Sequence, residues 1–171
     1  MSTHPGTHPG THPGTHPEER LAALGLAVPE VAAPVAAYVP AVRSGDHVFT
    51  SGQLPVREGE LLLTGKVGGE VSEEEAVACA RQCALNALAA VKSQLGDLAR
   101  VRRVVKVVVF VASTPDFTGQ PRVANGVSEL LGEVFGEAGV HARSAVGVPV
   151  LPLDAPVEVE LLVEVDPAPA G

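Results

Sequence analysis

Residues 141–165 read HARSAVGVPVLPLDAPVEVELLVEV, and this stretch decides the fold class of the chain. Its last part, Val157 to Val165, alternates apolar with acidic side chains over most of its length, with Leu162 as the exception. A period of two predicts a β-strand that buries one face. The part from Ser144 to Val150 is also typical of a strand. These two strands need partners from the rest of the chain.

The upstream run VVKVVVFV, residues 104–111, supplies the candidate central strand. It is β-branched and almost wholly apolar, as expected for a strand that is covered on both faces. Residues 46–51, DHVFTS, precede Gly52 and predict another strand. A shorter strand is expected over residues 60–63.

Two amphipathic helices are predicted between these strands. Ser72 and Glu75 form the S-x-x-E pattern of a capping box, in which each side chain bonds the backbone N–H of the other residue. The helix that begins there carries an apolar stripe at spacings of three and four and ends at Gly96: Ala76, Ala80, Cys83, Ala84, Ala87, Leu88, Val91 and Leu95. A second helix is expected between Gly119 and Gly139, with the stripe Val123, Val127, Leu130, Leu131, Val134 and Phe135.

The order of elements, ββαβαββ, predicts an α+β domain in which two helices cover one face of a mixed sheet. The strands supply apolar residues on more than the helix-facing side. A single chain with two helices cannot hide them all, so we expect a homo-oligomer that buries the second sheet face.

The chain is expected to divide into four parts. Residues 1–20 hold a THPG repeat without aliphatic side chains and predict a disordered tail. Residues 21–33 predict a short linker or helical turn, residues 34–166 the folded domain, and residues 167–171 a disordered C-terminus. The tail histidines could chelate a divalent metal, but a low-complexity tail without metal is the favoured interpretation: His4, His8, His12 and His16.

Composition argues against several classes of function. The net charge of −8 and the low aromatic content of 3% disfavour nucleic acid, for which only a short basic cluster at residues 100–106 is available. No apolar run reaches the about 20 residues that a membrane-spanning helix needs. Cys79 and Cys83 stand four apart in a predicted helix and are expected to be reduced and buried. A cytoplasmic protein is expected.

Three segments together resemble the Rid family, also called YjgF or reactive-intermediate deaminase proteins. They are TSGQLP at 50–55, VFVASTPDF at 109–117 and HARSAVGVPVLPLDAPVEVE at 141–160. The likeness covers residues 34–166. It implies a chorismate-mutase-like α+β fold and a homotrimer with a central barrel-like core and pockets at the subunit interfaces.

The resemblance also implies an activity and its residues. Members of the best-known branch hydrolyse enamine and imine intermediates of small carboxylates to 2-oxo acids and ammonia, without cofactor or metal. By this likeness Arg143 binds the substrate carboxylate and Glu158 orients the attacking water. Tyr38, Ser51 and Gly52 would line the pocket. Asn125 falls near a family asparagine, but the alignment there is loose and we assign it no role.

The sequence also departs from the family pattern. Ala145 stands where many members have cysteine, Gly147 where an acidic residue is common, and residues 112–122 are longer. These differences are typical of a less characterised branch and leave the substrate open. Two alternatives therefore stand beside the imine deaminase: a non-catalytic binder or sensor of small carboxylates, and, third, an endoribonuclease or translation inhibitor. From spacing alone, Arg143 could form a structural ion pair and Glu158 could be one more outward-facing acidic residue.

Overall fold

The computed structural model describes residues 16–31 and 37–167. Its longer helices are α1 (Pro17–Ala23), α2 (Glu73–Leu95) and α3 (Gln120–Phe135). Short 3₁₀ turns lie at Leu98–Arg100, Gly136–Gly139 and Pro152–Asp154. The strands are β1 (Ala41–Ser44), β2 (His47–Thr50), β3 (Val56–Arg57), β4 (Glu60–Leu61), β5 (Val101–Ala112), β6 (Ala142–Val148) and β7 (Val157–Val165).

Five strands form one mixed sheet in the order β1-β2-β7-β5-β6. Only β5 and β6 run parallel, and the other neighbours are antiparallel. The strand predicted as central, β5, lies between β7 and β6, but the middle position of the five is held by β7. Strands β3 and β4 form a separate hairpin. The predicted α+β fold, with a mixed sheet and helices, is therefore confirmed.

The capping box at the start of α2 is confirmed. The Ser72 amide donates to Glu75 Oε2 at 2.8 Å, and the Glu75 amide donates to Ser72 Oγ at 3.2 Å. The helix ends at Gly96, whose φ of 78° suits a residue without a Cβ. Cys79 and Cys83 on this helix are free and buried, as predicted. Burial raises the pKa of Cys79 to about 11 and raises that of Cys83 as well.

The N-terminal helix α1 differs from the sequence-based expectation. It begins at Pro17, so residues 17–20, which we assigned to the tail, are helical. Leu21 is completely buried in the core, and Arg20 Nη1 donates to the carbonyl of Val134 on α3. The packed structure thus includes a segment that was predicted to be tail and linker. His4, His8 and His12 of the repeat, and residues 168–171, lie outside the described residues.

The two faces of the sheet differ in their cover. Every second residue of β7, from Val157 to Val165, is buried, and this strand contacts α2. The helix-facing residues of β5 are buried as well, and this strand contacts α3. The opposite face carries an apolar strip, three members of which are roughly half exposed. The strip consists of Val42, Phe49, Val108, Phe110, Val146 and Leu162. We call this surface the open face.

Most other elements match their expected positions within a few residues. Strands β1 and β3 were not predicted, because stretches this short show little periodicity. The helical turn considered for residues 21–33 lies earlier, in α1 at Pro17–Ala23. The strand expected at 60–63 is reduced to Glu60–Leu61, and the one expected at 144–150 lies at 142–148. Within the part of the chain that the structure describes, no helix is long and apolar enough to cross a bilayer.

Candidate functional site

Arg143 lies on the edge strand β6, where it is in register with the buried Val107 of β5. Its side chain therefore points to the side of the sheet that α3 covers. Nη1 donates to Asn125 Oδ1 at 2.9 Å and to Ser128 Oγ at 3.1 Å, and Nη2 donates to the carbonyl of Pro121 at 3.2 Å. These groups come from the first turns of α3. Arg143 is thus held by neutral groups, and the structural ion pair considered above is not formed with any described residue.

These contacts leave part of the guanidinium available. A guanidinium has five N–H donors. The three bonds above use both hydrogens of Nη1 and one of Nη2, and no bond from Nε is found among the described residues. Nε and Nη2 together form the side-on edge with which arginine grips a carboxylate through two parallel bonds. An anchored arginine whose Nε and one Nη2 hydrogen have no bond to a described residue is suited to bind a small anion.

A cleft of about 310 Å³ lies beside Arg143, lined by Ser128, Gly132, Gly139, Val140, His141 and Arg143. In it the Ser128 hydroxyl lies 2.9 Å from His141 Nε2, and His141 Nδ1 lies 2.5 Å from the carbonyl of Gly139. Arg143 on β6, Ser128 on α3 and His141, the residue before β6, therefore form a chain of hydrogen-bonded polar groups.

Glu158 lies on β7, beside Phe110 of β5, between the buried residues Val157 and Val159. Its carboxylate packs against Gly52, where a Cβ would overlap Glu158 Oε1. Glycine at position 52 therefore leaves room for this carboxylate. Burial, and then the nearby Glu160, raise the pKa of Glu158 above its usual 4.5. The pKa of Glu158 is therefore higher than that of an ordinary surface carboxylate.

Ser51 is next to Gly52 in sequence and is bonded to the segment that follows Tyr38. The Ser51 hydroxyl donates to the carbonyl of Val39 at 2.7 Å, and the Ser51 amide donates to that of Pro40 at 2.8 Å. These bonds fasten the segment after Tyr38 to the end of β2. The Tyr38 side chain itself is 51% exposed, so it is free to contact another molecule or subunit.

Within one chain, the expected site residues fall into two separate groups. Gly52 and Glu158 are in contact, with Ser51 next in sequence, whereas Arg143 lies two strands away on β6. Glu158 alternates with residues that face the helices and so points to the open face, while Arg143 points to the side of α3. The strand spacing alone separates the two backbones by about 10 Å.

The departures at Ala145 and Gly147 have a local explanation only for the glycine. Ala145 packs partly against the core. A Cβ at Gly147 would lie 2.7 Å from Gln120 Nε2 and 2.9 Å from Ser113 Oγ. Gln120, the first residue of α3, donates to the carbonyl of Phe117 at 2.7 Å and to Ser113 Oγ at 3.3 Å. The amide of Gln120 therefore fills the space that a larger residue at 147 would need.

Three polar residues near Arg143 were missed by sequence reasoning. Asn125 was left without a role, although it accepts a bond from Arg143, and Ser128 and His141 were not considered. Ser128 stands one helical turn after Asn125, so the two share a face of α3. That spacing was the available signal, once α3 had been predicted.

Comparisons with known proteins show the family of this chain. Residues 18–165 match the family model described as "YjgF/chorismate mutase-like, putative endoribonuclease". The chain belongs to the YjgF family. The match begins at residue 18, so it includes most of α1 as well as the segments that resemble the family.

Individual relatives place the chain more closely. It is 49% identical over 144 residues to Protein TCP17 of Trypanosoma cruzi, covering 84% of this chain and 90% of that protein. The crystal structure of Atu1372 from Agrobacterium tumefaciens, a protein of unknown function, superposes with a TM-score of 0.82 at 46% identity, covering 88% and 92% of the two chains. A 2-iminobutanoate/2-iminopropanoate deaminase from Dermatophagoides farinae is 31% identical over 143 residues, covering 82% and 95%. The YjgF family thus includes a relative of this chain that is named as an imine deaminase.

Proposed function

We propose that this YjgF-family protein hydrolyses reactive imines of small carboxylates to 2-oxo acids and ammonia. The observation that carries the proposal is the state of Arg143, which is anchored by Asn125, Ser128 and Pro121 while Nε and one hydrogen of Nη2 have no bond to a described residue. These donors can recognise the carboxylate that accompanies the C=N bond in an imine derived from an amino acid. The deaminase named above as a relative supports the same reaction class.

In the proposed reaction, Arg143 fixes the carboxylate and water attacks the carbon of the C=N bond. Glu158 accepts a proton from this water as the C–O bond forms and the second C–N bond opens, and it passes that proton to nitrogen to give a carbinolamine. It then transfers the hydroxyl proton of the carbinolamine to the same nitrogen, so that C=O forms, the remaining C–N bond breaks and ammonia leaves. Its raised pKa favours this role, because a general base works best when its pKa lies closer to the working pH. Such acid–base assistance contributes about 10²- to 10⁴-fold in rate.

The separation of Arg143 from Glu158 within one chain has a consequence for the oligomeric state. Arg143 and Glu158 lie on opposite faces of one sheet, two strands apart, so a single chain does not bring them to one small substrate. We therefore propose a homotrimer in which pockets at the subunit interfaces combine the Arg143 group of one subunit with the group of Tyr38, Ser51, Gly52 and Glu158 of the next. The open face would then form the barrel-like core.

The test is the decay of an imine that is generated in solution from an amino acid by an oxidase. We expect wild-type protein to accelerate the formation of 2-oxo acid and ammonia, and Arg143→Ala to abolish the acceleration. Arg143→Lys retains the charge without the planar fork and should recover only a part of it. Arg81→Ala is the matched control and should behave as wild type. It removes a partly exposed arginine of α2 that is bonded to Glu133 of α3.

Equal decay rates with wild type and Arg143→Ala would overturn the enzymatic proposal. The same pocket could instead serve a binder of small carboxylates. That function would be indicated by a rise in Tm with 2-oxo acids that needs Arg143 but occurs without turnover, since a ligand that binds only the native state stabilises it.

A further inference from the structure

The hydrogen bonds of His141 define which tautomer its neutral ring adopts. Nδ1 lies 2.5 Å from the carbonyl of Gly139, and a carbonyl can only accept, so Nδ1 carries a proton. In the neutral imidazole, Nε2 then has a free lone pair. Nε2 lies 2.9 Å from Ser128 Oγ, and the bond between them must be donated by the serine hydroxyl. This is the arrangement of a nucleophile and its general base.

The backbone around Gly139 holds this arrangement in place. Gly139 ends the 3₁₀ turn Gly136–Gly139 and packs so closely on α3 that a Cβ would overlap the carbonyl of Leu131. The close packing fixes the Gly139 carbonyl that orients His141. A backbone carbonyl thus occupies the position of the third group in a serine–histidine–acid triad, which holds the imidazole in the correct tautomer.

Arg143 supplies a positive charge at the same oxygen. Its Nη1 donates to Ser128 Oγ at 3.1 Å. A cation at this distance stabilises the negative charge that develops when the hydroxyl loses its proton and when an attacked carbonyl becomes an oxyanion.

The cleft leaves open space next to Ser128. Gly132 stands one helical turn further along α3, and a Cβ placed on it would meet no atom within 4 Å. Gly132, Gly139 and Val140 offer only backbone and aliphatic surface, and the volume of about 310 Å³ is at the small end of the range for ligand sites. The space next to Ser128 is suited to a short acyl group.

We propose that Ser128 is a nucleophile activated by His141, and that this cleft hydrolyses small acyl esters through an acyl-serine intermediate. Ser128 Oγ forms a bond to the acyl carbon while its proton passes to His141 Nε2. The tetrahedral intermediate collapses as the C–O bond to the leaving alcohol breaks and His141 returns the proton to that alcohol. Water then attacks the acyl-serine, His141 takes its proton and returns it to Ser128, and the carboxylic acid leaves. This activity goes beyond imine hydrolysis, which uses no nucleophilic side chain.

The experiment exposes the full-length protein to diisopropyl fluorophosphate, which phosphorylates activated serines, and follows the product by intact mass and peptide mapping. We expect wild type to be labelled at Ser128 and Ser128→Ala to lose this label. His141→Gln keeps a hydrogen-bonding side chain but removes the base, and should slow labelling about 100-fold. Hydrolysis of p-nitrophenyl acetate should fall in parallel.

Two further variants separate a reactive site from a structural hydrogen bond. Gly132→Leu adds a side chain at a position where a Cβ meets no atom within 4 Å, so the fold should be kept. The leucine side chain should fill the cleft and block labelling of Ser128. Ser93→Ala removes a hydroxyl that donates to the carbonyl of Ala90 on α2 and should leave labelling unchanged. Tm values confirm that each variant is folded.

No label on Ser128 in the folded wild type would overturn the inference, as would labelling that His141→Gln and Gly132→Leu leave unchanged. Imine hydrolysis is measured on the same wild-type protein, and imine hydrolysis that occurs without a label on Ser128 would overturn this inference alone. A failure of ester hydrolysis is therefore distinguishable from a failure of the imine reaction.

Discussion

At the scale of single residues, Glu158 combines a proposed catalytic role with a cost in stability. Its carboxylate is half-buried against Gly52 and lies near Glu160, and both burial and the like charge disfavour its ionised form. Its pKa is consequently higher in the folded chain than in the unfolded chain. A residue that served only as a solvated acidic side chain of an alternating strand would not carry this penalty.

The raised pKa has a defined consequence for stability. Between the unfolded pKa near 4.5 and the higher folded pKa, the native state binds more protons than the unfolded state, so stability falls as the pH rises through this window. Above the folded pKa the penalty is fully present. We therefore expect Glu158→Gln to have a higher Tm than wild type at pH 7.5, with the difference disappearing near pH 4.

Thermal unfolding of both proteins at the two pH values, at equal ionic strength, measures this effect. Glu137→Gln, a substitution at an exposed residue of the 3₁₀ turn after α3, controls for the loss of one negative charge from an acidic chain. A lower Tm of Glu158→Gln at pH 7.5 would contradict the expected sign. Loss of imine hydrolysis in the same variant would link the destabilising carboxylate to the proposed reaction.

At the scale of elements, α1 tests whether the segment before residue 34 is part of the folded unit. Leu21 is completely buried, whereas Leu24 at the end of the same helix is 41% exposed. Leu21→Ala removes buried methyl groups and leaves a cavity, and we expect it to lower the free energy of unfolding by about 2–5 kcal/mol. Urea denaturation measures the change.

Leu24→Ala is the matched control, since it makes the same chemical change on the exposed side of the same short helix. It should alter the free energy of unfolding by less than about 0.5 kcal/mol. Equal effects of the two substitutions would mean that α1 is not docked on the core and that the folded unit begins later in the chain.

The elements show which parts of this fold could be predicted. The capping box at Ser72 and the alternation in β7 are local patterns, and each determined its element correctly. The docking of Leu21 depends on packing against residues far away in sequence. Likewise, the bonds from Arg143 to α3 span 15 to 22 positions, and the Ser128–His141 pair spans 13. No spacing rule predicts such contacts, so the family likeness indicated Arg143 but not the groups that hold it.

At the scale of the whole molecule, the open face requires an explanation. Val42, Phe49 and Val146, each 45–53% exposed, share this face with the less exposed Val108, Phe110 and Leu162, and with the charged residues Lys106, Glu158 and Glu160. Exposed apolar side chains grouped on one face are typical of interaction surfaces. The division of the expected site residues between the two sides of the sheet leads independently to the same assembly, because a neighbouring subunit can supply what a single chain separates.

Phe49→Glu tests both lines of reasoning in one variant. Phe49 is 48% exposed and pairs with Leu162 on the open face, so glutamate at this position is tolerated by a single chain in water. In a closed trimer the substitution would place an unpaired charge in each of three symmetric interfaces, where burial costs far more than the about 1.5–3 kcal/mol that a buried phenylalanine contributes. We expect sedimentation to give the mass of three chains for wild type and of one chain for Phe49→Glu. Val150→Glu, at an apolar residue 65% exposed but outside the sheet, should remain trimeric.

The monomeric variant should also lose imine hydrolysis although Arg143 and Glu158 are intact, because its pocket would be incomplete. A wild type that sediments as one chain would contradict the shared pocket. An active monomer would show that Arg143 works without a Glu158 supplied by a neighbouring subunit.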